Sequence, residues 1–188
     1  MKPFLRKLLT ICIVSAVFVT LCSCGEKNEP SKEVSEKSVT NTETVSGYES
    51  KKFNLKFTPP EGYVMFTDSQ KAAQMAGAKN VSCEMISEHS DGFPQVKVVV
   101  EKFDGDETQY LQSKHETFDV NNISATYSEI SEKEIAGERY LSFVICAEDT
   151  INMEFYAKKY DDGMLCISVT SLVGSDAKSP LDAFSKAE

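Results

Sequence analysis

Residues 151–173 read INMEFYAKKYDDGMLCISVTSLV, which is two strand-like runs on either side of an Asp161-Asp162-Gly163 turn. Asp-Gly between two such runs is a strong signal for a β-hairpin. Residues 139–147 form another apolar run just before it, and residues 125–135 lead into that run through Ala136-Gly137. These segments predict a meander of four antiparallel strands.

The segments upstream of the meander alternate between strand and helix patterns. Residues 53–57 and 63–66 predict a hairpin around Pro59-Pro60, and residues 81–88 and 95–103 predict two further strands. Helix starts are indicated where a capping residue precedes Gln by three positions, at Thr67 and at Asp106. Ser179-Pro180 predicts a last helix, with Ser at the cap and Pro in the first turn.

This order of elements predicts the α+β class: a largely antiparallel sheet of six to eight strands with helices packed on it. The 140 residues from 49 to 188 are enough for one domain with one core. We therefore expect a single domain over residues 49–188.

The chain begins with a pattern typical of an export signal. Lys2, Arg6 and Lys7 form a basic head, and an apolar run follows over residues 8–21. Such a run spans roughly 21 Å as a helix, which is less than the ~30 Å hydrocarbon core of a bilayer. The pattern favours a cleaved signal peptide over residues 1–23, and the alternative is an uncleaved anchor helix.

The apolar run ends in Leu21-Cys22-Ser23-Cys24-Gly25, which resembles the lipobox of bacterial lipoproteins. Cys24 has a small residue directly before it and Leu21 three places before it, whereas Cys22 follows the bulky Leu21. The resemblance implies cleavage before Cys24 and acylation of its thiol and of the new N-terminus. Two acyl chains suffice for stable anchoring. Cys24 is therefore the predicted lipidation site, and the membrane is a predicted partner through this anchor.

Residues 24–48 are predicted to be a disordered tether. Their only aromatic residue is Tyr48, and a segment so poor in apolar side chains cannot bury enough surface to offset the entropy of ordering. A flexible coil of this length has an end-to-end distance of about 25–30 Å. The domain is therefore expected at the extracytoplasmic face of a bacterial cell membrane.

The charge of the chain excludes some partner classes. Removing the three basic residues that precede Cys24 from the total of 20 leaves 17 against 29 acidic residues. Nucleic acids and anionic headgroups favour surfaces rich in Lys and Arg. We expect no nucleic-acid partner and no broad contact with anionic lipid.

Three cysteines follow the lipobox: Cys83, Cys146 and Cys166, each in an apolar, strand-like run. Such positions favour free, buried thiols that pack as small hydrophobic groups. A Cys146–Cys166 bridge stays open because the sequence does not give the strand register. The spacing does not match a zinc or redox motif.

No group of residues in the sequence predicts catalysis, a metal or a cofactor. His89 lies in a polar stretch beside Ser90 and Asp91 and is interpreted as a solvated loop residue. His115 lies on the apolar face of the second predicted helix and is interpreted as a boundary residue. The carboxylates of residues 104–107 lack the ligand spacing of an EF-hand and are interpreted as a turn and helix cap.

The order of elements and the phrase FNLKFTPPEGY over residues 53–63 resemble the PsbP-like superfamily, named for the extrinsic subunit of photosystem II. Ile135-Ala136-Gly137 before the long meander matches a second motif of bacterial members. The resemblance covers residues 46–188 and implies a domain that binds other proteins and stabilises assemblies rather than catalysing a reaction. The shared positions are turns and core, so no site residue follows from it.

Two functions fit these observations. The first is a lipid-anchored, non-catalytic domain that binds or stabilises an envelope protein partner. The second is a lipoprotein that binds a small ligand and presents it to a membrane system, which requires a concave pocket with convergent polar groups. An unrecognised enzyme is the third and least supported alternative.

Overall fold

The computed structural model describes residues 46–121, 123–160, 163–175 and 178–188. The strands, in chain order from β1 to β11, are Tyr48–Ser50, Leu55–Phe57, Tyr63–Met65, Val81–His89, Gln95–Glu101, Ala125–Tyr127, Ser131–Ile135, Glu138–Ala147, Ile151–Tyr160, Gly163–Leu172 and Phe184–Ser185. Helix α1 spans Asp68–Gln74 and α2 spans Glu107–Val120, and a 3-10 turn occupies Pro180–Ala183.

Eight strands form one antiparallel sheet in the order β3-β4-β5-β10-β9-β8-β6, and β7 also pairs with β8. The predicted α+β class and the predicted sheet of six to eight strands are confirmed. The hairpin of β9 and β10 lies at the centre, where Ile167 is paired with Tyr156 on one side and with Val98 on the other.

Strand β10 is buried on both faces, which explains its nearly continuous apolar sequence. Leu165, Ile167 and Val169 point into one core, and Met164 and Cys166 point into a second core. A strand covered on only one face would alternate apolar and polar residues. The apolar sequence of β10 therefore indicates a sheet that is covered on both faces, which gives three layers.

A small sheet of β1, β2 and β11 forms the first covering layer. Leu55, Phe57 and Phe184 point from it into the first core and are 0%, 1% and 7% exposed. The aromatic rings of Phe57 and Phe184 lie 4.8 Å apart. Fully burying an apolar side chain of this size contributes about 1.5–3 kcal/mol, so these three side chains account for much of the attachment of the small sheet.

Helix α2 forms the covering layer on the opposite face, where Leu111 and Phe118 pack into the second core. Its first turn is closed by the predicted capping box, in which Asp106 accepts the Gln109 backbone N–H and the Gln109 side chain accepts the Asp106 N–H. The predicted box of Thr67 and Gln70 is also present at α1. Both predicted helix starts are confirmed.

The predicted hairpin between residues 53–57 and 63–66 is wrong. Strand β2 belongs to the small sheet, where Phe57 is paired with Tyr48 and Phe184, whereas β3 pairs with β4 in the large sheet. The Pro59-Pro60 loop carries the chain from one sheet to the other. Strands β2 and β3 are neighbours in sequence, which suggested that they pair. Strand β2 instead pairs with β1 and with β11, which lies more than 120 residues away.

Two further predicted elements need correction. Residues 125–135 are two strands rather than one, because at the interruption the hydroxyl of Ser128 accepts the Val144 N–H. The last predicted helix is a single 3-10 turn capped by Ser179, because the chain then enters β11 at Phe184. The Asp161-Asp162 turn lies outside the described residues.

Candidate functional site

A cleft of about 670 Å³ opens where the small sheet meets the edge of the large one. Its walls are the loop between β2 and β3 and the segment around the 3-10 turn, and its floor is β3 with the end of β4. The lining residues are 58–61, Tyr63, His89, 178, 179, Asp182 and Ala183. The site therefore combines parts of the chain that are far apart in sequence.

Local chemistry fixes both walls. Pro59 and Pro60 restrict the backbone of the first wall, and the N–H of Thr58 donates to the carbonyl of Ala183 in the second wall at 3.2 Å. The hydroxyl of Ser179 accepts the Leu181 N–H and closes the 3-10 turn. The cleft is thus held open between two segments that are bonded to each other.

Tyr63 and His89 form the floor. They are directly paired in the register of β3 and β4, and their rings meet edge to face with centroids 5.5 Å apart. The Tyr63 hydroxyl lies 3.5 Å from the carbonyl oxygen of Lys178, and burial raises the pKa of that hydroxyl. The tyrosine is therefore a neutral hydrogen-bonding group at ordinary pH.

A glycine makes room for the histidine. Gly62 has φ +83°, and a Cβ at this position would lie 2.7 Å from Nε2 of His89. The other ring nitrogen, Nδ1, accepts the N–H of Asp91 at 3.4 Å and lies 3.5 Å from its carboxylate. These contacts hold the imidazole edge-on to Tyr63.

The cleft combines apolar and polar groups in the way that binding sites do. Pro59, Pro60 and Ala183 supply apolar surface, and Lys178 and Asp182 supply charges of both signs. Sites for ligands or peptide segments place a few polar groups around such a surface. The arrangement suits binding of a partly apolar group with polar ends.

The interpretation of His89 as a solvated loop residue is corrected. The residue ends β4, and its side chain is 29% exposed because it packs on Tyr63. The alternation of β4 could have indicated this position, but its packing partner could not be read from local sequence.

The interpretation of His115 as a boundary residue is confirmed. Its ring lies 3.7 Å from the ring of Tyr127, and Nδ1 is 3.3 Å from the carboxylate of Asp119. The Tyr127 hydroxyl donates to the same Asp119 side chain at 3.1 Å. These three residues join the end of α2 to β6.

A buried polar cluster that the sequence did not reveal lies between α2 and the large sheet. Lys114 and Glu101 form an ion pair at 2.7 Å, and the Tyr110 hydroxyl donates to the same Glu101 oxygen at 2.9 Å. The Lys114 ammonium lies 4.3 Å from the centre of the Tyr110 ring. Tyr110 and Lys114 are four residues apart on α2, which places them on one face.

Cys166 lies beside this cluster, and its thiol is poorly reactive. Burial raises the pKa of its thiol to about 11 and raises the pKa of Tyr110 well above its usual value. The thiolate is the reactive form of cysteine, so a thiol held protonated is a poor nucleophile. The cluster attaches α2 to the sheet rather than supplying a reactive group.

The carboxylates of residues 104–107 act as the predicted turn and cap. Asp106 caps α2, and Glu107 accepts the backbone N–H of Lys159 at 2.9 Å. The Lys159 ammonium donates to the carbonyl groups of Phe103 and Gly105. In the part of the chain that the structure describes, no three His, Cys, Asp or Glu side chains converge to hold a metal ion.

The Cys146–Cys166 bridge that the sequence left open is excluded by the strand register. Cys146 is paired with Asn152 of β9, and Cys166 is paired with Ala157, so β9 separates the two cysteines and they lie at different levels. A disulfide needs Cα atoms within about 7 Å of each other. Cys83, Cys146 and Cys166 are free thiols.

Neither a family model nor a curated protein matches the chain. A solved structure does match: the solution structure of cyanobacterial PsbP (CyanoP) from Synechocystis sp. PCC 6803, with a TM-score of 0.51 and 10% sequence identity. The match covers 79% of this chain and 98% of the CyanoP chain.

The chain has the PsbP-like fold.

The predicted PsbP-like resemblance is thus confirmed at the level of the fold. In the PsbP-like domain, the FNLKFTPPEGY phrase forms β2 and the first wall of the cleft and leads into β3. Its Gly62 leaves the space that the His89 ring occupies. A stretch that marked the fold in the sequence therefore also shapes the cleft.

The predicted lipidation site, Cys24, and most of the predicted tether lie outside the described residues. Within the described ranges, no helix is both long and apolar enough to cross a membrane. The PsbP-like domain begins its first strand at Tyr48.

Proposed function

We propose that this protein is an extracytoplasmic lipoprotein, anchored at Cys24, whose PsbP-like domain binds an envelope protein partner without catalysing a reaction. Residues 1–23 are the cleaved signal peptide, and the predicted tether from Cys24 ends where the binding domain begins, at Tyr48 in β1 rather than after it. The observation that carries the binding role is the cleft of about 670 Å³, with apolar walls and polar ends, in a domain whose fold is that of a PsbP protein.

The geometry of the cleft supports a protein partner. It opens between the two sheets, and its walls are two loop segments that carry prolines and charged side chains. Pro59, Pro60 and Ala183 offer a partner apolar contacts in the cleft, and Lys178 and Asp182 offer charged ones.

The anchor is tested by metabolic labelling of the bacterium with radioactive palmitate. The wild-type protein is expected to take up label, and the Cys24→Ser variant is expected to take up none, whereas Cys22→Ser should be labelled normally. Label that survives in Cys24→Ser would overturn the assignment.

The binding role is tested by crosslinking and affinity capture from native membranes. A stoichiometric protein partner is expected with the wild type and with Thr126→Trp, an exposed position on β6, and is expected to be lost with Thr58→Trp, which fills the cleft from an exposed wall position. Capture that is equal for the two tryptophan variants would place the partner elsewhere, and capture of no partner by any form would contradict the proposal.

The volume of the cleft favours a second candidate function, binding of a small ligand. Ligand pockets commonly measure about 300–1,000 Å³ and carry a few convergent polar groups. In a thermal-shift screen of metabolites, a compound that binds the cleft would then raise the unfolding temperature of the wild type and of Thr126→Trp but not of Thr58→Trp. A screen in which no compound shifts the wild type would remove this candidate.

A further inference from the structure

The outer face of the small sheet is basic, although the chain as a whole has a net charge of −9. Lys56 points outward from the middle of β2, since its neighbours Leu55 and Phe57 are buried on the inner side. Lys51 and Lys52 follow β1 and are exposed. These three lysines define the lysine face.

Few acidic groups oppose this charge. Glu49 lies directly across from Lys56 on β1, and the partner of Lys56 on the other side is Ser185. Glu138, at the start of β8, is paired with Lys158 at 2.5 Å, accepts from Asn54 and lies near the ammonium of Lys186. The lysine face therefore keeps a net positive charge within an acidic protein.

The same sheet is where the rest of the chain joins the domain. Gly47 packs against the end of β2, where an added Cβ would lie 2.9 Å from the carbonyl oxygen of Phe57. Strand β1 starts one residue later. The segment that leads back to Cys24 thus enters at the edge of the lysine face, and a flexible coil of that length has a typical end-to-end distance of about 25–30 Å.

We propose that the lysine face rests on an anionic phospholipid surface and fixes the orientation of the tethered domain, a local contact rather than the broad one that the net charge opposes. The inference rests on the proposed function, since it needs the anchor at Cys24. Basic groups are attracted to anionic leaflets over distances of a Debye length, about 8 Å at physiological salt. A face held this close to the bilayer by its own tether needs only weak attraction to stay there.

The opposite side of the domain then points away from the membrane. Helix α2 carries Glu116 and Asp119 on its outer surface and has no basic residue in its last turn. Anionic lipid would repel this surface. The charge distribution therefore favours one orientation over the reverse.

The test uses the mature acylated protein in vesicles that contain a headgroup-spin-labelled lipid as quencher. The chain has no tryptophan, so a single Ser185→Trp substitution reports from the lysine face and Gln112→Trp reports from the outer side of α2. Glu49→Trp provides a second reporter on the lysine face if Ser185→Trp does not fold. Vesicles of phosphatidylcholine alone are compared with vesicles that also contain phosphatidylglycerol.

We expect strong quenching of Ser185→Trp in the phosphatidylglycerol vesicles, at least threefold weaker quenching in phosphatidylcholine vesicles, and little quenching of Gln112→Trp in either. Reversal of Lys51, Lys52 and Lys56 to Glu should abolish the difference between the lipids, whereas the matched reversal of the exposed Lys79, Lys102 and Lys133 should preserve it.

Equal quenching in both lipids, or quenching unaffected by reversal of the lysine face, would overturn the inference. Loss of partner capture from native membranes on reversal of the lysine face, without any effect on vesicle quenching, would assign the face to an acidic protein and also overturn it. Flotation of the same vesicles distinguishes failure of the lysine face from failure of the anchor. Protein that does not float contradicts the proposed function, whereas protein that floats without quenching contradicts only the membrane-facing role.

Discussion

The ammonium of Lys114 lies 2.7 Å from a carboxylate oxygen of Glu101, with side-chain exposures of 9% and 15%. The pair links α2 to the end of β5, and the Tyr110 hydroxyl completes the hydrogen bonding of the same oxygen. Removing one partner of a buried ion pair leaves the other charge without compensation, which costs far more than the net contribution of the pair.

Replacing both members of the pair should therefore cost less than the two single replacements added together. We expect Lys114→Met or Glu101→Gln to lower the free energy of unfolding by about 3–5 kcal/mol, and the double variant to lose at least about 1 kcal/mol less than the sum of the two. Urea denaturation of the four proteins measures this coupling. Strictly additive losses would show that the two charges do not stabilise each other.

Stability should fall at alkaline pH because of Cys166. Burial raises the pKa of its thiol to about 11 in the folded protein, whereas an unfolded cysteine ionises near ~8.5. The unfolded state releases its proton first, so the contribution is complete below the unfolded value and declines as the pH rises toward the folded value. The expected slope reaches at most about 1.4 kcal/mol per pH unit.

Denaturation at pH 8, 9 and 10 tests this dependence. Cys166→Ala should reduce the alkaline decline, whereas Val169→Ala, which removes buried volume from the same strand without a titrating group, should lower stability by the same amount at every pH. A decline that is as steep in Cys166→Ala as in the wild type would refute the assignment to this thiol.

The two capping boxes should differ in their effect on global stability. Loss of a capping side chain costs about 0.5–2 kcal/mol of helix stability. Helix α2 packs Leu111 and Phe118 into the core, whereas α1 has no buried residue. Asp106→Ala should therefore lower the global free energy of unfolding by about 1 kcal/mol, and Thr67→Ala should mainly speed amide exchange within α1. Equal global losses would show that α1 is coupled to the core.

Substitution by alanine should destabilise the protein more at Gly62 than at Gly92. Both have positive φ, +83° and +92°, but an added Cβ would meet His89 at Gly62 and nothing within 4 Å at Gly92. We expect each alanine substitution to cost about 1 kcal/mol of backbone strain, with a further loss at Gly62 and a shift of the His89 ring resonances in NMR spectra. Unchanged His89 resonances in Gly62→Ala would mean that the ring does not depend on this glycine.

Features set by local chemistry could be predicted from the sequence. The caps at Thr67 and Asp106 depend on residues three positions apart, and the β9–β10 hairpin depends on alternation around one turn. Each of these elements forms in the structure where the pattern indicated. The PsbP-like resemblance rested on the order of elements and on turn and core residues, and the structural comparison confirmed it at the level of the fold.

Features that depend on residues far apart in the sequence could not be predicted. Strand β2 is paired with β11 across more than 120 residues, so neither the small sheet nor the cleft beside it has a local signature. The burial of Lys114 has no local signature either, because its partner Glu101 lies on another element. Its four-residue spacing from Tyr110, on the side of the helix that carries Leu111 and Phe118, was the one available hint.

Site-specific photo-crosslinking in native membranes tests the central claim, which is that the anchored PsbP-like domain binds a protein partner at the cleft. A photoreactive amino acid is placed at Glu61 or Lys178 in the cleft, and at Gln112 on the outer side of α2 as the control. We predict one discrete protein adduct from both cleft positions and none from Gln112, with the adduct lost when Cys24→Ser is added. Adducts of equal yield from all three positions, or no adduct from the cleft, would contradict the account.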